Sequence, residues 1–222
     1  NLPQRPYSLL AGQMERHGAA FSRSSGMPFS VIGRLRPGWY ELPGDVSSQY
    51  VSGLLFALPL LERGSDIALS TPLQSAGYVE MTVATLRRFG VDIEARPYGW
   101  HIPGRQRYHK REETIEADYS NAAFWLSAGA LGSPVACAGL DPDSPQGDRA
   151  IVRLLRGFGA TAGGDDPLSV QGGRLHACRI DASQVPDLVP ILAVVAALSE
   201  GETLIENAGR LRIKECDRLA AM

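Results

Sequence analysis

Three stretches carry one pattern: Tyr7 to Ala19 (YSLLAGQMERHGA), Val79 to Val91 (VEMTVATLRRFGV) and Ala150 to Ala160 (AIVRLLRGFGA). Each sets apolar side chains at helical spacing, as Ile151, Leu154, Leu155 and Phe158 do, and then places an aromatic or His before a Gly and a small or branched residue. The glycines, Gly18, Gly90 and Gly159, fall where a helix needs a left-handed residue to end it. They lie 72 and then 69 residues apart. A fixed period of this size is the mark of a repeated supersecondary unit.

A second kind of helix keeps step with the first. Ser47 to Leu61 (SSQYVSGLLFALPLL), Tyr119 to Leu131 (YSNAAFWLSAGAL) and Val185 to Ser199 (VPDLVPILAVVAALS) are almost wholly apolar after a small polar start. Helices apolar all round belong in an interior. Between the helices lie strand candidates within Phe29–Leu35, Asp66–Thr71, Val91–Ala95, Pro134–Leu140 and Thr203–Gly209. The unit is one amphipathic helix, one buried helix and several strands, repeated about three times, with a fourth starting at Arg212. The charged run RQRYHKREE, from Arg105 to Glu113, lacks periodicity and reads as a solvated connection, with a domain boundary near Glu116.

The composition is that of a globular protein long enough for one large domain or two smaller ones: 222 residues, 44% hydrophobic and 21% charged. A net charge of −2 gives no basic field for nucleic acid, so an anionic ligand has to be met by local groups. Cys137, Cys178 and Cys216 are an odd, scattered set and read as free thiols of a reducing compartment. His17, His101, His109 and His176 show no metal-ligand spacing. The longest apolar run, Val185–Leu198, contains Asp187 and Pro190 and is too short to span a bilayer. The chain starts without Met and stops inside an expected helix, which reads as a piece of something longer.

Five polar constellations sit at expected helix starts. Gly44-Asp45-Val46-Ser47-Ser48-Gln49 places hydroxyls and free amides where the helix dipole favours an anion, although capping would use the same serines. Ser75 and Tyr78 open the helix after it, again as a cap or as an anion contact. Arg5-Pro6 places a cation at the positive end of a dipole, because Pro suits a first helical turn, and an anion shared by both would relieve the conflict; the alternative is an exposed arginine with no role. Val185-Pro186-Asp187 is the period's counterpart of Ser47-Ser48-Gln49, with a carboxylate in place of hydroxyls, although a first-turn Asp suits the helix dipole as a cap alone. In Leu211-Arg212-Ile213-Lys214-Glu215-Cys216-Asp217-Arg218, a helix would bring Lys214 and Arg218 onto one face. Two such cations repel unless an anion lies between them. The alternative is a solvated helix that pairs its own charges.

In this order, RPYSLL, GDVSSQY, SAGYVEMT, EADYSNAAFWLSAGAL, SPQGD (Ser144 to Asp148), VPDL and LRIKECDRL resemble the 3-phosphoshikimate 1-carboxyvinyltransferases, or EPSP synthases. The resemblance implies an α/β (α+β) fold of inside-out βαβαββ repeats in two domains, with buried parallel helices under outer sheets and helix starts facing a cleft. Residues 1–115 would be the later part of the domain that holds shikimate 3-phosphate, and 116–222 the beginning of the second.

It also implies transfer of the enolpyruvyl group of phosphoenolpyruvate to a hydroxyl of shikimate 3-phosphate, with release of phosphate. Ser47, Ser48 and Ser75 would hold the shikimate phosphate. Gln49, Tyr78, Asp187 and Lys214 would meet the rest of that substrate. Arg5, Gln49 and Arg218 would grip phosphoenolpyruvate, and Asp187, Lys214 and Glu215 would act in catalysis, with Glu215 exchanging the proton of the enol methylene. The family needs no metal or organic cofactor. Its partners would be these two small molecules rather than nucleic acid or membrane, and the full-length protein would be a cytoplasmic monomer.

Three departures stand out. Arg210 replaces a common Asn at a shikimate contact, Gly77 replaces a Pro before the tyrosine, and Cys216 stands for Ser or Thr. A UDP-N-acetylglucosamine enolpyruvyl transferase shares the architecture, but SSQ together with LRxKExDR favours the shikimate enzyme. A non-catalytic phospho-ligand scaffold, or a relative of the RNA cyclases, is the alternative from another class.

Overall fold

The computed structural model describes residues 6–22 and 29–222, and these form two compact units, Asn1–Glu112 and Glu113–Met222. In the first unit, helix α1 (Ser8–Arg16) leads into a hairpin of β1 (Ala19–Ser22) and β2 (Ser30–Gly33). A complete repeat follows: β3 (Trp39–Leu42), α2 (Ser48–Ala57), β4 (Ser65–Leu69), α3 (Ala76–Arg88), β5 (Glu94–Arg96) and β6 (Gly99–Ile102). This is the expected βαβαββ order. Its strands make one sheet in the order β3-β4-β6-β5, with β3 and β4 parallel and the other pairs antiparallel.

The second unit repeats the pattern. Helix α4 (Tyr119–Ala130), β7 (Val135–Cys137), α5 (Ala150–Gly157), β8 (Thr161–Gly163) and β9 (Leu168–Gln171) give a sheet β7-β9-β8 that matches β4-β6-β5. The next repeat then starts with β10 (Arg179–Asp181), α6 (Val189–Ala197), β11 (Leu204–Glu206) and α7 (Arg218–Ala221), with β10 and β11 parallel as β3 and β4 are.

The three glycines end their helices as the pattern requires. Gly18, Gly90 and Gly159 have φ of +99°, +81° and +101°. At α3 and α5 the closure is a Schellman motif: Gly90 donates to the Arg87 carbonyl and Val91 to that of Leu86, as Gly159 does to Arg156 and Ala160 to Leu155. The carbonyl before each glycine then accepts from a residue further on, Arg36 on His17, His109 on Phe89 and His176 on Phe158, at 2.8, 2.8 and 2.9 Å. One contact is thus made three times at the repeat spacing.

Each unit has its own core. Val51, Leu54 and Leu55 of α2 meet Val79, Val83 and Leu86 of α3 over Tyr40, Leu42 and Ile67 of the sheet. Ala123 and Leu126 of α4 meet Ile151, Leu155 and Phe158 with Leu192 and Val195 of α6. Each fully buried side chain of this kind contributes about 1.5–3 kcal/mol relative to exposure. The apolar helices are not covered all round within these units, because Phe56, Phe124, Trp125 and Val194 remain exposed.

Three local expectations change. Pro6 stands outside α1 rather than in its first turn: the first helical bond runs from the Ala11 amide to the Tyr7 carbonyl. The stretch from Leu211 to Arg218 is not one helix. A 3-10 turn (Gly209–Ile213) ends where Lys214 turns extended, and Asp217 starts α7 by accepting from the Ala220 amide at 3.0 Å, so the cap cuts the helix. The run from Arg105 to Glu113 has no helix or strand but is strapped to the first unit, with Gln106 donating to Pro59, His109 to Phe89 and Arg111 to Arg88.

Candidate functional site

Parallel strands fix where the polar residues collect. Leu42 and Leu69 are register partners at the ends of β3 and β4, so the loops to α2 and α3 leave the same edge of the sheet. In open α/β sheets, ligands bind outside the carboxyl ends of such strands. Asp181 and Glu206 are likewise partners at the ends of β10 and β11, so the turn before α6 and the segment from Asn207 to Asp217 share an edge in the second unit. The expected site residues among those described fall on these two edges.

In the first unit, Ser47 is the N-cap of α2 in an extended conformation (φ −156°, ψ 117°), yet its side chain makes no capping bond. Ser48 is buried at 6% exposure and Gln49 is exposed in the first turn. Tyr50 behind them donates its hydroxyl to the Pro6 carbonyl. Ser75, at the start of α3, is 2% exposed and sits in the left-handed region (φ 56°, ψ 44°), again with no side-chain cap. A left-handed non-glycine residue costs roughly 1–3 kcal/mol and tends to persist at functional sites. Tyr78 is half-buried one turn on, and its amide donates to the Ser75 carbonyl. Capping was the competing account of both serines, and it is not how either side chain is used. Asp118 and Asp217 show the contrast, since each caps its helix through a carboxylate.

In the second unit, Asp187 lies in the 3-10 turn Pro186–Leu188 that runs into α6. It does not cap. Its Oδ1 is 2.6 Å from Arg218 Nη1 and 3.5 Å from Lys214 Nζ, and the three side chains are between 21% and 28% exposed. Arg218 also donates to Glu215 from Nη2 at 2.5 Å and from Nε at 3.1 Å. Burial works against the charge on Arg218, but its hydrogen bonds to Asp187 and Glu215 prevail and push its pKa above the usual value. The anion required between Lys214 and Arg218 is therefore present in the chain itself. The two meet through Asp187 rather than along one helical face. Asp217 is held below the usual carboxylate range by the Ala220 amide and by Arg212, which bonds it at 3.0 Å.

Arg210 is half-buried in the 3-10 turn beside this cluster. Arg5 lies outside the described residues. Ser144 to Asp148 forms a support rather than a site. Gln146 Oε1 accepts the Tyr119 amide at 2.8 Å, its Nε2 donates to the Ala117 carbonyl, and buried Asp148 accepts from Ser120 at 2.6 Å, so the run fixes the start of α4. Sequence reasoning missed Thr71, which joins the two loops of the first edge. Its only signal was its place one strand-end after Leu69.

The chain compares closely with known proteins. A family description of EPSP synthase (3-phosphoshikimate 1-carboxyvinyltransferase) matches residues 1–222. The 3-phosphoshikimate 1-carboxyvinyltransferase of Clostridium acetobutylicum is 46% identical over 224 residues, covering 100% of this chain and 52% of that protein. The chain thus spans about half the length of the curated relatives it matches. Among solved structures, an EPSP synthase from Acinetobacter baumannii superimposes with a TM-score of 0.74 at 24% identity, over 99% of this chain and 52% of the other. The enolpyruvyl transferase NikO from Streptomyces tendae does so at 0.70 and 23%, over 91% and 51%. These two likenesses speak for the fold alone. With the match over every residue, this chain belongs to the EPSP synthase (3-phosphoshikimate 1-carboxyvinyltransferase) family.

Proposed function

We propose that the whole protein transfers the enolpyruvyl group of phosphoenolpyruvate to a hydroxyl of shikimate 3-phosphate and releases phosphate. The observation that carries this reading is the Asp187–Lys214–Glu215–Arg218 cluster, a carboxyl acid/base built into a cationic clamp. Residues 1–115 then contribute the side that holds the acceptor phosphate, through Ser47, Ser48 and Ser75 with Gln49 and Tyr78 beside it. Residues 116–222 begin the second domain and supply the reacting groups.

The chemistry asks for these residue types. The acceptor oxygen adds to carbon 2 of the enol phosphate, its proton passing to Asp187 with Lys214 stabilising the charge on the oxygen. Glu215 protonates the methylene, which becomes a methyl group. Phosphate then leaves from carbon 2 as Glu215 takes a proton back from the methyl, restoring the double bond. Arg218, with Arg5 and Gln49, holds the donor. Such a reaction draws on positioning and electrostatics and needs no metal or organic cofactor. Arg218 is divided between Asp187 and Glu215, so gripping an acid means giving up part of those bonds.

The reading carries with it a cytoplasmic monomer. Cys137, Cys178 and Cys216 are free thiols, and among the described residues no helix is long and apolar enough to cross a membrane.

A fold shared with other enolpyruvyl transferases does not by itself name the acceptor. The full-length protein, given carbon-labelled phosphoenolpyruvate with shikimate 3-phosphate or UDP-N-acetylglucosamine, is expected to move label only to the shikimate. Transfer to the nucleotide sugar alone, or to neither, would overturn the assignment.

A further inference from the structure

Thr71 lies where the two loops of the first edge cross. Its Oγ1 donates to Asp45 Oδ1 at 2.7 Å and accepts from the amides of Gly44 at 2.9 Å and Asp45 at 3.3 Å. A hydroxyl has one proton and two lone pairs, so all of its capacity is used within the chain and none is left for a ligand. Around it the main chains are laced: Ser70 donates to Leu42 at 3.0 Å and Gln74 to Gly44 at 2.9 Å. The loops touch so closely that a Cβ on Gly44 would lie 2.6 Å from the Thr71 carbonyl oxygen and 2.9 Å from Leu73 Cα. Asp45 stands just ahead of Ser47 and Ser48, and Thr71 stands four residues ahead of Ser75. The crossing therefore sets the distance between the two groups of serines. The second unit has a lace of the same kind at the equivalent edge, where Asn207 Nδ2 donates to Asp181 Oδ1 at 3.0 Å and the Ala182 amide to Glu206.

We propose that Thr71, through Asp45, is a positioning residue that holds Ser47 and Ser48 at the spacing from Ser75 that the acceptor's phosphate needs. It thereby governs the affinity for the phosphorylated acceptor and not for the enolpyruvyl donor. This rests on the reading of that edge as the acceptor-phosphate site. The hydroxyl is saturated, the laced loops carry the serines, and the left-handed Ser75 keeps its strained conformation only while its surroundings hold it.

The test uses the full-length protein with Thr71→Val, Thr71→Ser, Asp45→Ala and Ser48→Ala, measuring both KM values, kcat and thermal stability. Losing one hydroxyl that serves several partners should raise KM for shikimate 3-phosphate about tenfold in Thr71→Val while KM for phosphoenolpyruvate stays within about twofold. Thr71→Ser, which keeps the hydroxyl, should restore the parent value. Asp45→Ala, which removes one acceptor only, should show the same split more weakly and serves if Thr71→Val does not fold. An unchanged acceptor KM in Thr71→Val and Asp45→Ala, or equal changes in both KM values that Thr71→Ser does not reverse, would overturn the proposal. Ser48→Ala separates the two levels. If it raises the acceptor KM while Thr71→Val does not, only the positioning role fails. If it leaves the acceptor KM unchanged, the phosphate-site reading itself fails.

Discussion

Asp187 faces two cations through one oxygen, at 2.6 Å from Arg218 and 3.5 Å from Lys214. Partly buried charges of like sign need such a partner, and removing it would leave both cations poorly compensated. Glu215 is placed differently. Its side chain is 59% exposed and pairs with Arg218, so its carboxyl can approach a substrate while its neighbours are held. Glu215→Gln keeps the size and loses the transferable proton. In the full-length protein it should lower kcat by roughly 10²–10⁴-fold, the usual contribution of a general acid/base, as measured by phosphate release. A parent-like rate would remove Glu215 from the mechanism. The residue types here were legible in the chain, because Lys214 and Arg218 in close order call for an anion between them, whether a ligand or a carboxylate of the chain. Their route was not. Asp217 looks like one more charge in a helical run, but it is spent as a cap, and the partner that joins Lys214 to Arg218 comes from 27 residues before Lys214.

At the scale of elements, the repeat is held by how its helices end. Gly90 has φ of +81°, and its amide, with that of Val91, closes α3 onto Arg87 and Leu86. An L-residue there costs about 1–2 kcal/mol, and a Cβ would also sit 2.9 Å from His109 Nδ1, in the strap that crosses the first unit. Gly90→Ala should therefore lower the free energy of unfolding in urea by about that amount, and an unchanged midpoint would show that the closure bears no strain. These glycines were readable because a left-handed helix end leaves a one-letter trace. So were strands with a short apolar run, such as residues 67–69 in β4 and Val135–Cys137 in β7. Strand β3 was not. Its burial alternates, with Tyr40 and Leu42 inside, but Trp39 lies on the outer side, half exposed, and hides the period of two. Strands β8 and β10 are three residues each, too short to show a period, and β10 also depends on a partner 25 residues on, which local pattern cannot report.

Across the whole molecule, each unit presents a parallel strand pair with its polar residues at the carboxyl end, and that common plan follows from one repeat used more than once. The 72 and 69 spacing announced the repeat, and the proposed function assigns different work to its two edges: serines where a phosphate is to be bound, and a carboxylate with two cations where a proton is to move. The serine edge is the part most directly open to measurement. A crystal structure of the full-length protein with shikimate 3-phosphate should show phosphate oxygens about 2.5–3.0 Å from the hydroxyls of Ser47, Ser48 and Ser75, ordinary distances for hydroxyl donors to an anion. A phosphate held elsewhere, with those three hydroxyls out of reach of it, would contradict the account.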